Sequence, residues 1–288
     1  LSTRNGQLRS LLFRTCPNRK LPVPAGLTMH MHRGAVLDLD GTVYRGGAAI
    51  EGAPAAINRL RDHGLSVLFF SNNPTKSRNA YVRRLQSLDI TATTDEVLSA
   101  GTVTTEYLME NHATDPTFLV GSDGLRDQFE DADIQLTDDT GAAEVLIVSW
   151  SDQFDYTDMT DAYHAGATGA TFIGTDPDML VPASGDRVVP GSGAIINAIA
   201  GTLGRDPDRV LGKPSPEAVQ MARDALGVPL SECLVVGDRL DTDLALGHRA
   251  GMTTVFVRTG VMTDEDVAMA EFEPDYVLDS LADIDGVL

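Results

Sequence analysis

The chain has 288 residues, 42% of them hydrophobic, and a formal net charge of −20. That length suits one large or two modest cores. So negative a surface makes nucleic acid and anionic membrane poor partners, and no apolar run approaches the length of a membrane span. Cys16 and Cys233 are too far apart and too few to suggest a disulfide framework or a zinc cluster.

The amino end differs from the rest. Arg4, Arg9, Arg14, Arg19, Lys20 and Arg33 all precede the first acidic residue, Asp38. Leu11, Leu12 and Phe13 are too short a run for a secretory segment, and Pro17, Pro22 and Pro24 oppose a long helix. A transit peptide or anion-binding arm is one reading. A disordered extension over residues 1–32 is the preferred one, with translation starting at Met29 or Met31.

Ala35 to Tyr44, AVLDLDGTVY, follows. A short apolar run ended by a glycine turn predicts a buried parallel strand opening into a loop. Ligands of open α/β sheets bind beyond the carboxyl ends of strands. Asp38 and Asp40 there suit a cation site, or a nucleophile beside a general acid/base. An Asx turn explains a lone DxDG equally well.

Helical and strand patterns then alternate, which predicts an α/β fold. Ala53–Asp62 reads as a helix and Leu65–Phe70 as a buried strand. The strand ends at Ser71-Asn72-Asn73, whose hydroxyl and amide groups suit a phosphate oxygen and equally suit capping of a helix over Ser77–Leu88. Glu96–Ser99 reads as a strand and Thr102–Glu110 as a helix. A second run, with strands at Thr117–Gly121, Val145–Trp150 and Ala170–Ile173 and helices at Leu125–Asp131 and Tyr156–Ala165, reads as an inserted small domain. Pro190–Gly201 is expected to return to the first domain as a glycine loop opening a helix.

Lys213 lies in a Gly-Lys-Pro turn before a helix over Pro216–Leu226. Lysine occurs only at Lys20, Lys76 and Lys213, and a compact ammonium suits a phosphate beside a carboxylate. A surface lysine leading a helix explains it alone. A further buried strand from Cys233 ends at Gly237-Asp238, with Asp241 and Asp243 beyond. One of these can cap the next helix, but three acids within six residues call for a cation or a lysine to offset their repulsion. Met252–Gly260 is a further strand.

DLDGT, SNN, GKP and GDRLDTD stand in the order of the four motifs of the haloacid dehalogenase (HAD) superfamily, and the chain from Arg33 onward resembles its type IIA branch of NagD-like and nitrophenylphosphatase-like enzymes. The resemblance implies a Rossmann-like core with strand order 3-2-1-4-5 over residues 33–114 and 184–288. It implies a C2-type α/β cap over 115–183. It further implies an Mg²⁺-dependent phosphatase acting on a small phosphate ester. By motif, Asp38 becomes the nucleophile that forms an aspartyl-phosphate, and Asp40 the general acid and base. Ser71 and Asn72 hold phosphoryl oxygens, Asn73 orients the loop, and Lys213 neutralises Asp38 and the phosphoryl group. Asp38, Asp238 and the Asp40 carbonyl bind Mg²⁺, with Asp243 behind them.

One departure is Thr175-Asp176-Pro177-Asp178, where the branch often has Asn-Pro-Asp. Together with Trp150–Tyr156 this stretch is expected to govern specificity. Sugar phosphates, phosphoglycolate, glycerol phosphate and nucleotides all stay open as substrates, as does a homodimer through the cap. A non-enzymatic phosphate-binding or regulatory protein is the alternative, although it would be expected to lose Asp38 or Asp40.

Scarce lysine and abundant Asp resemble proteins of salt-in halophiles and predict a cytoplasmic location in high salt. Surface self-repulsion should then limit stability. Melting temperature should rise steeply between low and multimolar KCl in a thermal scan; a flat response rejects the halophile reading alone.

Overall fold

The computed structural model describes residues 32–182 and 187–288. The extension expected over residues 1–32, with its two methionines, falls outside the described residues except for its last position.

The chain opens with β1 (Gly34–Leu37), the small hairpin β2 (Tyr44–Arg45) and β3 (Ala48–Ala49), then α1 (Ala53–Asp62), β4 (Ser66–Ser71), α2 (Arg78–Gln86), β5 (Val97–Ser99) and α3 (Ala100–Asn111). A second set follows: β6 (Thr117–Val120), α4 (Asp123–Asp131), β7 (Val145–Val148), α5 (Tyr156–Ala167), β8 (Thr171–Gly174), the hairpin β9 (Leu180–Pro182) and β10 (Val188–Pro190), α6 (Ser192–Leu203) and β11 (Arg209–Val210). The last part holds α7 (Pro216–Leu226), β12 (Cys233–Gly237), α8 (Ala245–Ala250), β13 (Thr253–Val257), α9 (Asp264–Met269) and β14 (Tyr276–Leu278).

The main sheet runs β14-β13-β12-β1-β4-β5, all parallel. This is the expected 3-2-1-4-5 order with β14 added at one edge. All four residues of β1 are buried because both faces of the sheet are covered. Ala35 and Leu37 pack with Ile57 and Leu60 of α1, while Val36 packs with Val103 of α3 and Ala218 of α7. Leu37 pairs with Phe69 on one side and Val236 on the other. That register brings the carboxyl ends of β1, β4 and β12 to one rim, where Asp38, Ser71 and Asp238 emerge.

The second sheet, β11-β8-β7-β6, is also parallel. One face meets α5 and α6 through Leu146, Val148, Phe172, Ala162, Ile196 and Ile199. The other face, through Leu119, Ile147 and Ile173, joins an apolar cluster shared with Val36, Phe70 and Val103.

The return to the first core expected at residue 184 is corrected by this packing. α6 covers the second sheet, and β11 extends it by pairing Arg209 with Ile173 and Val210 with Gly174. The chain comes back only at Leu211, which lies in the shared cluster. An apolar helix pattern states that one face is covered but not by which sheet, and β11 is too short to signal itself. The hairpins, α9 and β14 went unread for the same reason of length. The capping open to Asp241 or Asp243 is not used. No side-chain cap bond is present, and the chain makes a π turn over Leu240–Leu244 before α8.

Ile199 is fully buried against the second sheet. Ile199→Ala should cost ~2–5 kcal/mol in urea unfolding, with faster amide exchange in β7 and β8 than in β1 and β4. Faster exchange confined to the main sheet would contradict the assignment of α6.

Candidate active site

Lys213 stands at the centre, 1% exposed. Its ammonium donates to Asp38 Oδ1 at 2.7 Å, to Asp243 Oδ1 at 2.6 Å and to the Phe70 carbonyl at 2.6 Å. An ammonium has three donors, so all are engaged. Burial works against its charge, but Asp243 and Asp38 outweigh that and raise its pKa. The loop carrying it is pinned as well. Ser215 Oγ caps α7 through the Ala218 N–H at 3.0 Å and donates to the Leu211 carbonyl at 2.6 Å.

Asp238 completes an acidic cluster. Single carboxylate oxygens of Asp38, Asp238 and Asp243 all lie within 4.8 Å of one another. Asp238 Oδ2 accepts from the Val261 N–H at 3.0 Å, whereas its Oδ1 is buried with no hydrogen-bond partner. The backbone is drawn in tightly here. A Cβ at Gly260 would lie 1.7 Å from Asp238 Oδ2, and one at Gly41, at φ +99°, would lie 2.7 Å from the same oxygen. Burial raises the pKa of Asp38, of Asp238 and of Asp243, the last to about 6, and neighbouring carboxylates add to the shift of each. One ammonium does not balance three such groups. An orphaned oxygen in an all-carboxylate donor set fits a hard divalent cation.

Asp40 lies half-buried beyond β1. Burial raises its pKa, while Lys76 and Arg84 oppose the rise. Ser71 Oγ accepts from the Asn73 N–H at 3.1 Å and lies 3.4 Å from the Tyr81 hydroxyl, whose own proton goes to the Asn73 carbonyl at 2.8 Å. The Ser71 proton can turn to the Tyr81 oxygen or to a ligand. Asn73 Oδ1 accepts from the N–H and hydroxyl of Thr75 at 2.9 and 2.7 Å.

Asn72 is placed differently from expectation. Its Oδ1 accepts from the Lys213 N–H at 2.7 Å, and its Nδ2 donates to the Lys213 carbonyl at 3.1 Å and to Asp178 Oδ1 at 3.3 Å. Both amide protons are committed, so the side chain has no donor to spare for a phosphoryl oxygen. Asp176 is 1% exposed. Its oxygens accept from the Thr175 hydroxyl at 3.0 Å and from the Asp178 N–H at 3.2 Å, so it shapes the turn that presents Asp178. The stretch Trp150–Tyr156 divides: Phe154 packs against the second sheet's core, Asp155 caps α5, and Tyr156 is exposed. Arg239 and Tyr81 went unassigned from sequence, and Asp178 was marked only as part of the specificity stretch. Arg239 sits inside the quoted GDRLDTD, but spacing along the chain does not reveal contacts across the fold.

Residues 35–135 match the family model for haloacid dehalogenase-like hydrolases, and 210–284 match a HAD-hydrolase-like model. An acid sugar phosphatase of Staphylococcus epidermidis is 32% identical over 248 residues, 86% of this chain and 95% of that protein. The chain belongs to the haloacid dehalogenase superfamily. Among solved structures, p-nitrophenyl phosphatase from Archaeoglobus fulgidus superposes with a TM-score of 0.84 at 34% identity, covering 89% of this chain and 99% of that one. NagD from E. coli gives 0.78 at 26% identity, covering 88% and 98%. These place the chain in the NagD-like, type IIA branch of HAD phosphatases, with its second sheet as the cap. No helix among the described residues is long and apolar enough to cross a membrane.

Burial and the adjacent Asp178 push Asp176 up to about 7 from an ordinary 3.8. The folded HAD chain thus holds this proton more tightly than the unfolded one. The stability it contributes is full below the unfolded value and lost as pH rises through about 7. Asp176→Asn removes that loss. The melting temperature of the variant relative to the parent should therefore climb from pH 4 to pH 8 in scans without added metal; a constant difference would place the charge elsewhere.

Proposed function

We propose that the chain is an Mg²⁺-dependent phosphomonoester hydrolase working through an aspartyl-phosphate on Asp38, with a small phosphometabolite as substrate. The observation that carries this reading is Lys213 held between Asp38 and Asp243 beside the unpartnered oxygen of Asp238. A carboxylate nucleophile must meet an anionic phosphoryl group, so positive charge is needed where they meet; Lys213 supplies part of it and a divalent cation would supply the rest.

Asp38 Oδ attacks phosphorus as the ester oxygen leaves, and Asp40, protonated at the outset, gives that oxygen its proton. Its raised pKa suits the donor role. Asp40 then takes a proton from water, which attacks the phosphorus of the aspartyl-phosphate; inorganic phosphate departs and Asp38 is regenerated. Ser71 turns its proton from the Tyr81 oxygen to a phosphoryl oxygen. Lys213 keeps Asp38 ionised and aimed, and Asp243 orients Lys213. Asn72 acts indirectly by gripping the Lys213 main chain. Asp38, Asp238 and the Asp40 carbonyl would hold Mg²⁺, which supplies charge to offset repulsion between nucleophile and phosphate.

The cap is the part of the molecule able to distinguish leaving groups. The acid sugar phosphatase relative makes sugar phosphates the first class to try, with phosphoglycolate, glycerol phosphate and nucleotides beside them.

The test is a phosphatase screen over these esters and nitrophenyl phosphate in low and multimolar KCl. Turnover should stop on chelation and return with Mg²⁺. Asp38→Asn should abolish it with the fold intact, and Asp40→Asn should lower kcat ~10²–10⁴-fold. Asp238→Ala should raise the Mg²⁺ requirement. Full activity in excess EDTA, or in Asp38→Asn, rejects the mechanism. Phosphate binding without turnover of any ester would favour the non-enzymatic alternative.

A further inference from the structure

The segment from Thr175 to Leu180 leads from β8 of the cap into the β9–β10 hairpin, and it meets two of the catalytic loops. Asp178 Oδ1 accepts from Asn72 Nδ2 at 3.3 Å and lies 3.6 Å from the Arg239 guanidinium. Arg239 Nη1 also donates to the Leu180 carbonyl at 3.1 Å. Behind these contacts stands the centre itself. Asn72 grips the Lys213 main chain on both its N–H and its carbonyl, and the Arg239 N–H donates to Asp243 Oδ2 at 3.2 Å. The cap segment is thus joined to Lys213 along one route and to Asp243 along the other.

We propose that Asp178 and Arg239 are a positioning pair, a latch that holds the cap segment against the catalytic loops and so sets which esters are turned over; this rests on the phosphatase reading above. Three features point that way. The pair is partly buried, with side chains 11% and 17% exposed, so solvent and salt screen it less than an open surface pair. Its 3.6 Å separation exceeds good hydrogen-bond length, which suits a contact that must release for substrate entry and product exit. Arg239 also has a second carboxylate in reach, since Asp241 lies 3.5 Å from Nε and is 58% exposed. When the latch opens, the guanidinium keeps a partner on its own loop, and opening leaves no buried cation unpaired.

A closed latch aligns Asn72, and through it Lys213, while the cap covers the leaving group. A sugar phosphate, with a poor leaving group, depends on that alignment and on exclusion of water. Nitrophenyl phosphate, with a good leaving group, depends on it less.

The test uses the full chain with Mg²⁺ and the variants Asp178→Asn, Arg239→Gln, their combination, and Arg239→Lys. Each single neutral variant should lower kcat/KM for a turned-over sugar phosphate ~10–100-fold, mostly in kcat, and that for nitrophenyl phosphate clearly less. The double variant should match the worse single one within about threefold, because the two act as one unit. Arg239→Lys should recover part of the loss, and the Mg²⁺ concentration at half-activity should stay unchanged. Hydrogen exchange without substrate should quicken across residues 175–182 in both single variants. Additive losses, equal losses on both esters, or a shifted Mg²⁺ requirement would overturn the latch, the last by assigning the effect to neighbouring Asp238. Unchanged exchange in that segment would overturn it as well, and this readout holds even if the parent hydrolyses no ester, which would defeat the phosphatase reading alone.

Discussion

The constraint on which the rest depends is a single buried ammonium shared by two carboxylates. Lys213 is buried away from bulk solvent, and its protons go to Asp38, Asp243 and the Phe70 carbonyl. Burying these charges carries a desolvation cost, and losing one partner of such a set typically costs ~3–5 kcal/mol because the other is left uncompensated. The ammonium must therefore be placed accurately, and the fold does so from several sides. Asn72 fixes its main chain, Ser215 ties its loop to α7, and the parallel register of β4, β1 and β12 brings the acceptors to the same rim. The tight approach of Gly41 and Gly260 to Asp238 belongs to the same demand. Any larger residue there would push that carboxylate out of the cluster.

The cap is not a loose appendage in this arrangement. One face of its sheet shares an apolar cluster with β1 and α3, and its turn at Asp176 to Asp178 reaches the loop of Asn72. Chemistry and selectivity are thus separable in sequence but joined in space. On the proposed function, the groups around Lys213 meet features common to every phosphate ester, and the cap residues meet what differs. Asp176 joins the two by spending both oxygens on the turn rather than on a ligand.

The legible part of the site was the part written as strand ends. Asp38, Ser71 and Asp238 each terminate a buried apolar run, and a parallel sheet collects such ends on one rim, so local pattern carried tertiary meaning. Lys213 was legible as a scarce residue in a turn. What escaped was whatever depends on a partner far along the chain. Asn72 belongs to a loop rich in hydroxyl and amide groups and reads as an anion ligand, yet its amide is committed to a backbone 141 positions away. Arg239 and Leu180 are 59 positions apart, and nothing local in either announces the other. The return point after the cap was misread because α6 shows that it is amphipathic without showing which sheet it covers. Two-residue strands such as β11 carry too few side chains to form a pattern at all.

A chain of net charge −20 that must attract an anionic ester poses an electrostatic problem, and burial resolves it. At molar salt the screening length falls to ~3 Å, so the acidic surface ceases to repel a substrate at any distance. The pairs around Lys213 are covered by protein, with side-chain exposures of 2%, 11% and 1% for Lys213, Asp38 and Asp243, and that cover excludes most of the ions that would screen them. The same salt therefore silences the surface and spares the centre. Lys76 extends the logic toward the mouth. It is exposed on the loop after β4, over the Tyr81 ring at 5.8 Å, and its charge bears on Asp40. A positive group placed there offsets part of the negative charge around Asp40. Net charge then describes how this protein meets solvent, and the few buried or rim cations describe how it meets its ligand.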